Sequence, residues 1–445
     1  MATPVSADAT TAVPVRIWGV RKSWFRTWGF PLVLITMCPP LTVVLWMITV
    51  GYGGSIREFA TTITWADFLA RFPLPSLRAA AILGTWFVLQ LALLKLLPGK
   101  AHFGPVTPMG NRPAYKLNGV AAFFVSHALL YVAAYPLGLF SPTIIYDNFG
   151  SILITLSTFA LLFCGFLYAK GVLAPSTTDA SRSGNLIFDY YWGVELHPRL
   201  FGVSLKQLLN CRFAMMGWSV ILLSFAAKQH ALYGEVSTAM LVSVGLQIVY
   251  IVKFFVWESG YFNSLDIMHD RFGFYICWGV MAWLPVVYTL VGLFLVGHPI
   301  DLSPAAAAGI VVLGLASIWI NYAADAQRQR VRASGGTARV WGKRPELIRA
   351  EYTTGDGQRR ESLLLVSGWW GVARHFHYVP EILLSLAWAL PAGFGFALPY
   401  FYVVYLTILL VDRSGRDDLR CRQKYGAYWE TYCQRVPSKI IPGLY

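Results

Sequence analysis

Charge is scarce in this chain. Asp, Glu, Lys and Arg make up 13% of its 445 residues, while 56% of side chains are hydrophobic; soluble domains carry roughly 25% charged residues. That balance excludes a soluble globular protein. Cysteine is also sparse: six are scattered (Cys38, Cys164, Cys211, Cys277, Cys421, Cys433) without a CxxC pair, half of them in apolar runs. Neither a disulfide framework nor a zinc site is indicated, and no metal is expected. No strand–GxGxxG–helix fingerprint, Walker motif or GxSxG elbow occurs. Any nucleotide must therefore sit in a site built from helices and loops. The first 15 or so residues lack a signal peptide's apolar core and cleavage site, so the first apolar run is expected to act as the signal.

Long runs without acidic or basic residues are what the chain has instead. They are Thr27–Ile56, Leu117–Tyr146, Asn148–Ala169, Phe272–Ile300, Leu302–Ala324 and Ile382–Val411, with shorter ones at Ala79–Leu94, Phe213–Ala227 and Val236–Val252. A span needs about 20 mostly apolar residues. With Ile382–Val411 split near Gly393–Gly395, the pattern predicts an all-α polytopic membrane protein of about ten helices. The expected organisation is a basic, disordered tail over 1–26, eight spans over 27–324 and a cytosolic loop over 325–378. Two further spans follow over 379–412, then a cytosolic tail over 413–445.

The net charge of +14 would suit nucleic acid, but its placement does not. Basic residues gather before the first span (Arg16, Arg21, Lys22, Arg26), in Arg328–Arg349 and in Arg413–Lys439. Ten spans put these regions on one side, together with the moderately basic Lys100–Lys116 and Arg182–Arg212. The opposite connections are poor in Lys and Arg, apart from that near Arg57–Arg78. The positive-inside rule places both termini in the cytosol, with anionic lipid headgroups rather than nucleic acid as the partner of this charge.

Four constellations could carry chemistry. Asn321, Asp325, Arg328 and Arg332 are spaced to share one face of a helix leaving the membrane, a cationic face suited to phosphate. Arg413, Asp417, Arg420, Cys421, Lys424 and Tyr425 are again at helical spacing, and guanidinium groups bind phosphate oxygens bidentately. The segment Leu363–Glu381 joins Trp369 and Trp370 to Arg374, His375, His377 and Tyr378; Trp370 could stack on a nicotinamide or adenine plane. Between two spans lie Glu258, Asp266, His269, Asp270 and Tyr275 near the membrane edge, where ionisable groups are costly and usually functional. A bland reading stands beside each: an ion-paired solvated helix, an interfacial aromatic belt, or a structural polar turn. The polar insert Asp325–Arg360 also holds an expected hairpin, Glu351–Thr354 turning through Gly355-Asp356-Gly357.

The Leu363–Glu381 segment resembles the signature of the sterol reductases that saturate carbon–carbon double bonds with NADPH. A second signature appears as Gly184-Asn185, Asp189-Tyr190-Tyr191, Gly193, Glu195-Leu196 and Pro198-Arg199. The run DRSGRDDLRCRQKYGAYWETYC from Asp412 is similar to that family's closing motif. The resemblance covers Leu32 to Tyr445 and is nearest to the Δ7-sterol branch in its plant-type form, HFHYVPE. It implies NADPH contacts from Arg328, Leu365, Trp370, His377, Tyr378, Arg413, Asp417, the run Cys421, Arg422, Gln423, Lys424 and Tyr425, and Tyr432. Three departures are visible: Ala324 stands where many members carry Lys, His377 where many carry Asn, and Pro380-Glu381 where many carry Gly-Asp.

An isolated alkene has no electrophilic carbon, so hydride reduction first needs a proton donor. Glu258, Asp266, His269 and Tyr275 are the candidates, left unranked. The expected activity is NADPH-dependent reduction of the C7–C8 bond of a 5,7-diene sterol, the sterol entering from the bilayer and the cofactor from the cytosol. The expected location is the endoplasmic reticulum membrane (the inner membrane in a bacterium), with other sterol-pathway enzymes as associates. The alternatives are Δ14 or C-24(28) reduction, an isoprenoid or phospholipid methyltransferase, and a non-enzymatic sterol-binding protein.

Overall fold

The computed structural model describes residues 23–445. Most of the expected N-terminal tail, with Arg16, Arg21 and Lys22, lies outside them. Seven helices are long and apolar enough to cross a membrane: Phe25–Gly51, Leu77–Leu96, Phe149–Leu173, Gln207–Tyr233, Thr238–Val256, Phe274–Val296 and Pro304–Ala333. The shorter apolar helices Gly119–Ala134 and Tyr378–Ala392 and the apolar first half of Phe401–Tyr425 complete a polytopic helical bundle. The boundaries follow local chemistry. Ser76, Ser237 and Ser303 each cap the next helix by accepting a backbone N–H. The last two spans part where Pro391 and Gly393 (φ +67°) cannot continue a helix.

Burial separates centre from periphery. In the most apolar window of Phe274–Val296, 83% of residues are buried inside the protein, against 22% for Leu77–Leu96, whose remaining surface is left for lipid. Large aromatics fill the centre, and two of the most deeply buried have their indole N–H paired: Trp218 Nε1 donates to Gln247 Oε1 and Trp278 Nε1 to Ser157 Oγ, both at 3.0 Å.

Alternate connections gather at the two ends of the bundle. At one end Lys228 meets Asp147 and Thr238 meets Asp301. The other end carries the basic segments: Arg26 pairs with Asp412 at 3.1 Å, and Arg413 pairs with Asp266. The expected hairpin is present and longer than predicted, Leu347–Thr353 pairing antiparallel with Arg359–Leu365.

Glu258, a sequence candidate for catalysis, sits beneath this end in a buried ion pair. It pairs with the fully buried Arg212 and accepts the Gly119 backbone N–H at 3.1 Å. Arg212 also donates to Asn118 Oδ1 at 2.9 Å, so three helices converge on one ion pair. Glu258 lines neither of the cavities described below. Removing one partner of a buried pair leaves the other charge uncompensated, at about 3–5 kcal/mol. Glu258→Ala is therefore expected to lower the detergent-solubilised thermal midpoint sharply, and the double change Arg212→Met with Glu258→Leu to recover much of the loss. Unchanged stability with lost activity would restore Glu258 as a catalytic candidate.

Candidate active site

Two cavities meet at the basic end of the bundle. The outer one, of about 470 Å³, is walled by residues 103–112, the helix end bearing Arg328 and Arg332, the hairpin and the C-terminal helices. The inner one, of about 350 Å³, descends between the spans, past Tyr250, Trp283, Tyr288, Tyr402, Tyr405 and Leu409. Asn263, Met268, Arg328, Gln329, Asp417 and Arg420 border both. A cationic compartment and a deeper one, lined by many aromatic side chains together with charged groups such as Lys253, Asp266, Glu381 and Arg413, thus share a single wall.

The helix Pro304–Ala333 builds that wall by outrunning the membrane. Its 30 residues span about 45 Å, and the last turns project Asp325, Arg328 and Arg332 beyond the apolar run. Arg328 pairs with Asp325 at 3.0 Å and lies 3.8 Å over the Trp370 ring. Trp370 is anchored by its Nε1 donating to the Ala324 carbonyl at 2.8 Å, and Tyr432 donates to the Trp370 carbonyl at 3.1 Å. One indole face is therefore taken by Arg328, and the His377 ring lies 5.0 Å away. In this arrangement Trp370 fixes the guanidinium more than it offers a bare face for stacking. Arg332 is held by its Nε donating to the Leu363 carbonyl at 3.2 Å.

The helix Phe401–Tyr425 supplies the facing side. Asp417 accepts from Arg420 at 2.8 and 2.6 Å. Burial opposes its ionisation, but Arg420 and His375 hold the carboxyl well below the usual carboxylate range. Lys424 stands 3.9 Å over the Tyr352 ring; burial, with repulsion from Arg420, lowers its ammonium to about 8. Burial pushes the Cys421 thiol up to about 12, leaving a neutral wall group. Burial likewise lowers His375 to about 4 and His377 to about 3, so both imidazoles are neutral hydrogen-bonding groups at physiological pH.

Of the sequence-predicted cofactor residues, Arg328, Leu365, Trp370, Asp417, Cys421, Lys424, Tyr425 and Tyr432 line the outer cavity. His377, Tyr378 and Arg413 line the inner one. Arg422 and Gln423 are exposed and line neither cavity, Arg422 being paired with Asp418 at 3.1 Å. A helix presents only part of a five-residue run to one side, and these two positions face away. Of the remaining catalytic candidates, Asp266 and Tyr275 line the inner cavity and His269 the outer one. All three are engaged with neighbours. Asp266 pairs with Arg413, the Tyr275 hydroxyl accepts from Arg416 at 3.0 Å, and His269 Nδ1 lies 2.8 Å from Asp270. Burial works against ionisation of Asp270, yet Arg416, His269 and Arg413 hold its carboxyl well below the usual range.

Residues the sequence reading did not single out also line these walls. Arg112 enters the outer cavity from the 103–112 loop. That loop is clasped to the hairpin tip by Gly355 N–H donating to the Pro108 carbonyl at 2.7 Å. A Cβ on Gly355 would come within 2.7 Å of Met109 Sδ, so a larger residue there would require the Met109 side chain to move. In the inner cavity, Tyr250 donates to Glu381 Oε1 at 2.8 Å, Asn321 Nδ2 to Glu381 Oε2 at 2.8 Å, and Lys253 to Asn321 Oδ1 at 2.8 Å. Lys253, directly after an apolar run, was the available signal. Tyr250, one of 23 tyrosines, gave none by itself.

The outer cavity fits a dinucleotide phosphate. Arg112, Arg328, Arg332, Arg420 and Lys424 line it, with Asp417 as the acidic lining residue among those described, which favours a polyanion.

Comparison with known proteins agrees with this architecture. The chain is 47% identical to the 7-dehydrocholesterol reductase of Arabidopsis thaliana, over 94% of this chain and 98% of that protein. It is 38% identical to the 7-dehydrocholesterol reductase of Xenopus laevis, over 85% and 83%. It is 36% identical to the Delta(14)-sterol reductase of Methylotuvimicrobium alcaliphilum, over 93% and 94%. The model of the Ergosterol biosynthesis ERG4/ERG24 family matches residues 22–445, and with nearly the whole chain covered, the protein belongs to this family of membrane-embedded sterol reductases.

Proposed function

We propose that this protein reduces the C7–C8 double bond of a 5,7-diene sterol, using NADPH held in the outer cavity. The observation that carries the reading is the shared wall, where a cationic aqueous cavity adjoins a membrane-level aromatic one. A flat apolar lipid suits the inner cavity, and a polyphosphate suits the outer. The identity with relatives named 7-dehydrocholesterol reductase supports Δ7 as the bond reduced. The relative named Delta(14)-sterol reductase is the reason to test other dienes alongside.

When bound, NADPH supplies the hydride. The chain's own groups do the rest. Arg328, fixed by Trp370 and Asp325, and Asp417, fixed by Arg420, would hold the cofactor where the two cavities adjoin, and Arg112, Arg332 and Lys424 would neutralise its phosphates. Asp266 is occupied by Arg413, and Tyr275 by Arg416. Tyr250, inside the inner cavity, is the phenol we assign as proton donor to the sterol, because its hydroxyl is hydrogen-bonded to a carboxyl, Glu381, that can resupply a proton. Protonation at C8 of a 5,7-diene leaves an allylic cation spread over C7 and the tertiary C5, which hydride then quenches at C7. The protein acts in the endoplasmic reticulum membrane of a eukaryote, or the inner membrane of a bacterium, on sterol drawn from the bilayer. Association with other enzymes of the sterol pathway fits that setting.

The purified protein in lipid nanodiscs should convert a 7-dehydrosterol to its 7,8-dihydro product with NADPH. Turnover confined to a Δ14 or C-24(28) alkene would move the assignment to that reaction. Lys424 binds phosphate when protonated and loses its proton as pH rises through about 8. NADPH affinity is accordingly expected to weaken roughly tenfold, about 1.4 kcal/mol, between neutral and alkaline pH. In Lys424→Met it should be weak and much less dependent on pH. Calorimetric titration across this range checks both, and an unchanged profile in the variant would remove Lys424 from the phosphate site.

A further inference from the structure

Resting on the reading just given, we infer that Glu381 is the proton store behind Tyr250, with Asn321 and Lys253 arranged to carry the charge left when that proton moves. Four polar side chains form one line along the inner cavity through three contacts: Tyr250 hydroxyl to Glu381 Oε1, Glu381 Oε2 to Asn321 Nδ2, and Asn321 Oδ1 to Lys253 Nζ, each 2.8 Å. All four residues line the cavity. Asn321 is fixed independently by donating to the His377 carbonyl at 3.1 Å.

A phenol that donates to a carboxylate has its proton turned away from the substrate. With a proton on Glu381 the same contact reverses: the carboxyl donates to the phenol oxygen, and the phenol proton is free to point at the sterol. The step then balances. Tyr250 O–H breaks as the C8–H bond forms from the alkene electron pair, and Glu381 O–H breaks as its proton replaces the one the phenol gave. Negative charge ends on Glu381 and not on a phenolate, while hydride from the reduced nicotinamide fills C7. Lys253 does not touch Glu381; its ammonium reaches the carboxyl through the Asn321 amide. It therefore stabilises the carboxylate that forms without directly occupying the acid beforehand. Asp325 and Arg413 also line this cavity, so the local charge is mixed. Glu381 acts through Tyr250 and is a positioning residue that supplies a proton.

Glu381→Gln keeps size and hydrogen bonding but holds no transferable proton. In single-turnover experiments with NADPH and a 7-dehydrosterol it should lower the chemical rate at least thirtyfold, with sterol and NADPH binding and thermal midpoint near wild type. Glu381→Asp should recover part of the rate. Rates in mixed H2O and D2O should curve downward for wild type, as two moving protons require, and become linear in Glu381→Gln. Infrared spectra of the resting protein should show a protonated carboxylic acid band that is lost in Glu381→Gln. Wild-type-like rates and curvature in Glu381→Gln would overturn the relay while leaving the reductase reading intact. Loss of binding and stability together in Glu381→Gln would make the residue structural and equally overturn the relay. Absence of diene reduction by the wild type would overturn both.

Discussion

One lattice of carboxylates and guanidiniums holds the functional end of this molecule in place. Asp270, fully buried, is approached by Arg416 at 3.1 Å and Arg413 at 3.7 Å. Arg413 also binds Asp266, and Arg416 reaches Asp412 at 2.9 Å, which pairs in turn with Arg26. The lattice ties the C-terminal helix to the loop between two central spans and to the start of the first helix. Charges buried at this depth are tolerated only when paired and hydrogen-bonded. The same network therefore fixes where Asp417, four residues beyond Arg413, faces the outer cavity.

From that constraint the division of labour follows. Lys206 reinforces it from below, donating to the Asp266 carbonyl at 2.6 Å and so pinning the loop backbone whose side chains join the lattice. Above the lattice, hairpin and C-terminal tail close over cationic groups; Arg374 holds that tail by donating to the Val436 and Pro437 carbonyls at 2.7 and 2.9 Å. Below it, aromatic spans leave a slot at membrane depth. A water-soluble reductant and a water-insoluble alkene can meet only where two such compartments touch, and here Arg328 and Asp417 stand at that contact.

Much of this was legible in the sequence because the membrane imposes strong rules. Apolar runs mark spans directly, which is why a polytopic helical bundle could be read from composition and a hairpin turning through Gly355-Asp356-Gly357 from its turn residues. The helical spacing of Asn321, Asp325, Arg328 and Arg332 placed them on one face, but spacing could not say that Arg328 would cover the Trp370 ring. The contiguous motif from Cys421 to Tyr425 hid the geometry: Arg422 and Gln423 belong to the motif yet turn outward. Glu258 illustrates the converse. A carboxylate at a membrane edge invites a catalytic reading, and its partner Arg212, 46 residues earlier in the chain, is visible only once the helices are packed. Tyr250 and Glu381 are separated by 131 residues, so no local pattern could have paired them.

The central claim is that reductant and sterol meet across the Arg328–Asp417 wall, with hydride and proton arriving from different partners. Isotope tracing measures this directly: NADPH deuterated on the transferable face of its nicotinamide, in ordinary water, followed by mass and NMR analysis of the reduced sterol. The account predicts one deuterium at C7 and a solvent hydrogen at C8. Deuterium absent from the sterol, or placed at C8, would contradict it.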